Sequence, residues 1–273
     1  MKTILPYGLV SGLVWLGLAA TAIADSFPLK QAVEAVNPDN TTPLELTLES
    51  AAFENQELSQ GPVRVVASYQ PIDYESEMRG DNLQLQVFYN DELQMTTTED
   101  VFMFGRVALQ DLDSDSDPEV LVEAFTGGAH CCMAISTYTW QNDHFKTIYF
   151  DYLDGGGGRF EDINGDGLTE FLTLDNAFFY AFSSYAGSFP PSLILTFEDG
   201  QYTDTTPQFE PTLNSTAWNM FQVIEDMDGE AIDSNGVLAG YVAQKIRLGE
   251  FQEGWDFMLA RYNADDDWGL GQY

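Results

Sequence analysis

Asp111-Leu112-Asp113-Ser114-Asp115-Ser116-Asp117-Pro118-Glu119 and Asp162-Ile163-Asn164-Gly165-Asp166-Gly167-Leu168-Thr169-Glu170 are two acidic stretches that begin 51 residues apart. Each runs directly into an apolar segment, Val120-Leu121-Val122 in the first case and Phe171-Leu172-Thr173-Leu174 in the second. Each then reaches a second strand-like run, Ile135 to Trp140 and Leu193 to Phe197, and a polar turn, Gln141-Asn142-Asp143 and Glu198-Asp199-Gly200. A repeat of about 50 residues made of loop, strand, turn and strand fits a blade-like antiparallel β unit. The fold class predicted from this pattern is mainly β (α+β): blade-like antiparallel β units with Asp-rich loops, plus C-terminal helices. Two copies fall within residues 105–210. A closed propeller takes about four to eight blades, so closure is not predicted.

Outward from the repeat, residues 25–104 form an N-terminal β-rich region. Val63-Arg64-Val65-Val66 and Leu83 to Phe88 read as strands, and Asn90-Asp91 reads as a hairpin turn. Ser26 to Val36 is the exception, with apolar residues at helical spacing. Residues 211–273 are predicted to be helical and packed on the sheet. The expected helices cover Ala217–Met227, with cap candidates Asn214 and Ser215, and Gly236–Leu248, with Asn235 as N-cap and Gly249 as the stop. Phe251, Trp255, Met258, Leu259 and Tyr262 repeat at helical spacing and are predicted to be core.

Residues 1–24 have the order of a secretory signal peptide: Lys2, an apolar run from about Leu9 to Ala20, then Ala22-Ile23-Ala24 at the cleavage site. The mature chain is expected to be secreted or periplasmic, with no membrane insertion after cleavage. Its charge narrows the function classes. The 273 residues hold 44 acidic and 10 basic side chains, for a net charge of −34. Nucleic-acid binding is disfavoured because phosphate recognition needs clustered Lys and Arg. The charge is read as a solvated acidic surface that aids solubility, or as partly neutralised by bound cations, and both can hold.

The two loops are where cations would sit. Calcium takes six to eight oxygen ligands in flexible geometry. Alternating Asp and Asn on a tight turn supply them from Asp111, Asp113, Asp115 and Glu119, and from Asp162, Asn164, Asp166 and Glu170. The carbonyls at position 7, of Asp117 and Leu168, would add one more each. Ca2+ is therefore the expected ligand. An EF-hand is not indicated, because position 12 is Val122 or Thr173 in a strand rather than a bidentate Glu before a helix. Weaker acidic stretches are Asp226-Met227-Asp228-Gly229-Glu230 and Asp265-Asp266-Asp267.

The pattern Asp-x-Asp/Asn-x-Asp-Gly-x-x-Asp/Glu before a strand resembles the calcium loops of FG-GAP and VCBS repeats, as in integrin-type β-propellers. The second loop matches this pattern, and the first departs from it with Ser114 and Ser116 in place of glycines. Gly127-Gly128-Ala129-His130-Cys131-Cys132 and the tail from Asn235 to Gly269 also resemble uncharacterised exported bacterial proteins that carry such repeats. The resemblance implies a calcium-stabilised β scaffold used in adhesion or recognition.

Cys131 and Cys132 are the two cysteines of the chain and are adjacent. They are read as a vicinal disulfide or buried thiols, with a redox switch and a metal site shared with His130 as alternatives. Gly155-Gly156-Gly157-Gly158 lacks the lysine of a phosphate cradle and is read as a flexible linker. No catalytic residue is assigned. The function expected is a structural, adhesion or recognition role toward an unknown protein or glycan. The alternative is a hydrolase acting on polysaccharide or peptidoglycan through acidic residues.

Overall fold

The computed structural model describes residues 39–72, 81–129, 131–227, 234–262, 264 and 268, the side chain of Asp151 excepted. The segment read as a signal peptide, the helical spacing of Ser26–Val36, His130, Asp228–Glu230 and Asp265–Asp267 lie outside the described residues. In chain order the strands are β1 (Leu44–Leu46), β2 (Phe53–Gln60), β3 (Val63–Tyr69), β4 (Leu83–Tyr89), β5 (Glu92–Glu99), β6 (Gly105–Gln110), β7 (Glu119–Phe125), β8 (Met133–Gln141), β9 (His144–Leu153), β10 (Arg159–Glu161), β11 (Glu170–Leu174), β12 (Ser192–Glu198) and β13 (Gln201–Asp204). The helices are α1 (Glu210–Asp226), α2 (Ser234–Arg247) and α3 (Phe251–Leu259).

The strands form three antiparallel meanders: β2-β3-β4-β5, β6-β7-β8-β9 with β1 added beside β6, and β10-β11-β12-β13. In each meander a two-residue turn joins the third and fourth strands: Asn90-Asp91, Asn142-Asp143 and Asp199-Gly200. All six residues have positive φ, between 48° and 68°. That is the hairpin conformation whose twist matches the flanking strands, and Asn, Asp and Gly reach it most easily. The mainly β class with C-terminal helices stands. The N-terminal region adds a third blade-like unit to the two read from the acidic loops. No closed sheet forms among the described residues.

Strand alternation stacks the meanders face to face. Val120 and Val122 of β7 point to one side and join the core made with Leu58, Val65 and Leu85 of the first sheet. Leu121, between them, points the other way and packs with Phe197 of the third sheet. In that third sheet, Phe171 faces Ile135 of the second, while its neighbour Leu172 packs with Ile194 and Phe209 on the opposite side. The period of two thus gives the second and third sheets two buried faces each. The near-continuous apolar run of β7 follows from this.

The helices begin elsewhere than their cap-like residues suggest. α1 starts at Glu210 with Pro211 in its first turn, and Asn214 and Ser215 lie inside it. Pro fits there because a first-turn N–H has no helical partner in any case. The inward stripe is therefore Leu213, Ala217 and Met220, and Trp218 points out. α2 includes Asn235 in its first turn. After α2, Gly249 adopts φ 77° and ends the helix. Gly236 and Gly240, one turn apart on α2, let its backbone approach the carbonyls of Gly187 and Phe189, where a Cβ would collide. The expectation that Phe251, Trp255, Leu259 and Tyr262 are core is overturned, because all four are exposed. α3 packs instead through Gly254 and Phe257.

Candidate metal centre

The two acidic loops occupy one topological place. The first joins β6 to β7 and the second joins β10 to β11, in each case linking the first two strands of a meander. Their internal hydrogen bonds repeat at the same offset of 51. Leu112 N donates to Glu119 Oε2 at 2.9 Å, as Ile163 N does to Glu170 Oε2 at 3.1 Å. Ser116 N donates to Asp111 Oδ2 at 3.1 Å, as Gly167 N does to Asp162 Oδ2 at 3.0 Å. Asp117 N donates to Asp115 Oδ1 at 2.7 Å, as Leu168 N does to Asp166 Oδ1 at 2.8 Å. The backbone repeats too: Ser114 and Ser116 take φ 61° and 78°, and Gly165 and Gly167 take 78° and 93°. The serines of the first loop therefore hold the left-handed conformation that glycines hold in the second.

The loops differ in how they treat their first aspartate. In the second, Asp162 Oδ1 accepts from Gly165 N at 2.7 Å and Asp166 N at 3.2 Å. Desolvation pulls the Asp162 carboxyl upward, but the N–H groups of Gly167, Gly165, Asp166 and Asn164 outweigh it and hold the group below its ordinary value. In the first, the equivalent Asp111 Oδ1 is buried and has no hydrogen-bond partner. A buried polar group without a partner costs about 1–3 kcal/mol, and more when charged.

The same loop gathers Asp111, Asp113 and Asp115, with one carboxylate oxygen of each within 4.8 Å of the others. At this separation each pair of charges repels by roughly 1 to 3.5 kcal/mol at effective dielectrics of 80 to 20. Burial first, and then the charges of Asp115 and Asp111, push the Asp113 carboxyl above its ordinary value. A hard cation would remove both penalties, because carboxylate oxygens are its preferred ligands.

The other residues named for the site take different positions. Asp117 turns its carboxylate to Tyr89, whose hydroxyl donates to Oδ2 at 2.7 Å. That hydrogen bond, with burial and the same negative charge, lifts the Tyr89 phenol to about 12. Glu119 points inward. It is 1% exposed, with Oε2 on Leu112 N and Oε1 on the Thr139 hydroxyl at 2.9 Å. Burial pushes its carboxyl up to about 8. Glu170 is likewise buried and raised by burial. Asp162, Asn164 and Asp166 are exposed, and Leu168 is half-buried beside them. The inward turn of Glu119 was not legible from spacing, because its Oε1 is held by Thr139, on a strand 20 residues away.

Cys131 and Cys132 are joined as a vicinal disulfide across a cis peptide, with Cα atoms 3.1 Å apart rather than the trans spacing of about 3.8 Å. Thr126 N and Oγ1 both donate to the Cys132 carbonyl, at 3.0 and 3.1 Å. The tetraglycine run is not a free linker. Gly157 lies against Met133, and Gly158 lies under the Phe171 ring and the Leu172 carbonyl, so a side chain at either would collide.

Residues 213–272 match the family model described as the sll0997 C-terminal domain. The chain is 38% identical over 167 residues to a protein of Synechocystis sp. named as a probable thylakoid lumen protein, which is 59% of this chain and 49% of that one. It is 29% identical over 157 residues to an uncharacterized protein, y4bJ, of Sinorhizobium fredii, covering 57% of this chain and 25% of the relative. The chain thus spans about half the length of the first relative and a quarter of the second. No solved structure matches it. The family match falls on the helices and not on the acidic loops. No helix among the described residues is long and apolar enough to cross a membrane.

Proposed function

We propose that this chain is an exported, calcium-binding β scaffold with a structural, adhesion or recognition role. Asp111, Asp113 and Asp115 hold the ion, and the position 7 carbonyl of Asp117 completes the loop. Asp162, Asn164 and Asp166, with the Leu168 carbonyl, form the weaker second site. Glu119 and Glu170 brace the two loops from inside. The observation that carries this reading is the buried, unpartnered Oδ1 of Asp111, a residue whose carboxylate clusters with those of Asp113 and Asp115. The second loop satisfies its equivalent oxygen with backbone N–H groups and so has less need of a cation. Export is supported by the signal-like N-terminus and by similarity to a probable thylakoid lumen protein.

Thermal unfolding in calcium, in magnesium and in chelator tests the reading. At calcium about 100 times the dissociation constant, one site adds about 2.7 kcal/mol. For a domain of this size that raises Tm by roughly 5 to 10 °C. Magnesium, which dehydrates reluctantly, should do much less. An identical Tm in all three buffers would sink the proposal.

A further inference from the structure

The C-terminal helices turn part of their apolar surface outward. On α3, Phe251, Trp255 and Leu259 recur at i, i+4 and i+8 and are all exposed. The Phe251 and Trp255 rings stack with centroids 5.7 Å apart. The packing face of this helix is a different one: Gly254 lies against Lys245 and Val242 of α2, and Phe257 meets Phe221 and Tyr241. The ridge is thus a second apolar face, left over after the core has formed. Trp218 of α1 and Ile246 of α2, both more than half exposed, add to the outward apolar surface of the same three helices. Surface hydrophobics scattered singly need no explanation, but a row of aromatic and aliphatic side chains along one helix marks an interaction face. Trp in particular is enriched among residues that dominate association.

Charge decides what fits there. A net charge of −34 repels a second copy of the chain and an anionic lipid surface alike. The cations of the helices are already paired: Lys245 with Glu250 and Glu253, Arg247 with Asp175, and Arg261 with Glu225. Asp256, next to the ridge, accepts a hydrogen bond from Gln252 and has no cationic partner among the described residues. Asp226, at the end of α1, also has none among them.

We propose that the α3 ridge docks a cationic amphipathic segment of another protein. Its apolar face covers Phe251, Trp255 and Leu259, and its Lys or Arg flank meets Asp256 and the neighbouring acids. This recognition surface is independent of calcium binding by the loops.

The test titrates the whole chain with a synthetic leucine–lysine peptide patterned as an amphipathic helix, followed by tryptophan fluorescence. The expected result is saturable binding, weakened roughly tenfold or more by Trp255→Ala and by Leu259→Ala at unchanged far-UV circular dichroism. Asp256→Lys should weaken it as well, and chelator should leave it unchanged, which separates this surface from the calcium reading. A leucine–glutamate peptide of the same pattern should not bind. Equal binding by wild type and both alanine variants would show attraction by bulk charge alone and overturn the proposal. So would Trp255-dependent self-association, or Trp255-dependent binding to neutral phosphatidylcholine vesicles, with no peptide binding.

Discussion

Replacing Glu119 with glutamine should change how stability depends on pH. Glu119 is 1% exposed, and burial holds its carboxyl up at about 8. In the unfolded chain it returns to about 4.5. Below pH 4.5 both states are protonated and the group contributes no pH dependence. Between 4.5 and 8 the unfolded chain releases the proton while the folded chain keeps it, so stability falls as pH rises, by about 1.4 kcal/mol per unit. Above 8 both states are ionised and the loss stops growing. From pH 5 to pH 8 the wild type should therefore lose on the order of 4 kcal/mol relative to Glu119→Gln. Glutamine can keep both contacts, its carbonyl oxygen accepting from Leu112 N and its amide donating to the Thr139 hydroxyl, which can turn to accept. Urea denaturation at a series of pH values in chelator, read by tryptophan fluorescence, gives the two curves. Parallel curves across this range would refute the reasoning, because they would mean that Glu119 is ionised in the folded protein at neutral pH.

Asp111→Asn should abolish most of the calcium-dependent rise in Tm, yet leave the protein in chelator as stable as wild type or more so, since it removes one of three mutually repelling carboxylates. Calorimetry with and without calcium checks both halves. Ser114→Gly and Ser116→Gly should each stabilise by a few tenths to about 1 kcal/mol. Each relieves a left-handed side-chain penalty of about 1–2 kcal/mol, partly offset by the greater unfolded-state freedom of glycine; the urea midpoint reads the result. Gly240→Ala should destabilise by about 1–3 kcal/mol, because the new Cβ meets the Phe189 carbonyl and α2 must move off the loop. Chemical denaturation measures this, and an unchanged midpoint would show that the α2 contact is looser than described.

What the sequence determined by itself is the short-range structure. The equivalence of the Asp111 and Asp162 loops was legible because the bonds that shape them run between residues at most seven apart. The turns at Asn90-Asp91, Asn142-Asp143 and Asp199-Gly200 were legible for the same reason, since the residues themselves supply the positive φ. The N-terminal meander was legible as strands and a hairpin but not as a third copy of the repeated unit, because its first two strands are joined at Gly61-Pro62, with no acidic loop to mark the repeat. Tertiary structure alone decided the rest. Which face of β7 meets which sheet depends on strands far along the chain. Helical spacing at Phe251, Trp255 and Leu259 specifies an apolar stripe but cannot say which stripe the neighbours cover; Gly254 and Phe257 took the packing face, and the ridge was left outside. Two loops of matching pattern also became chemically unequal: Asp162 found two backbone donors for its first oxygen, three and four residues along its own loop, and Asp111 found none, a difference of hydrogen-bond geometry that the shared spacing of the acids does not specify.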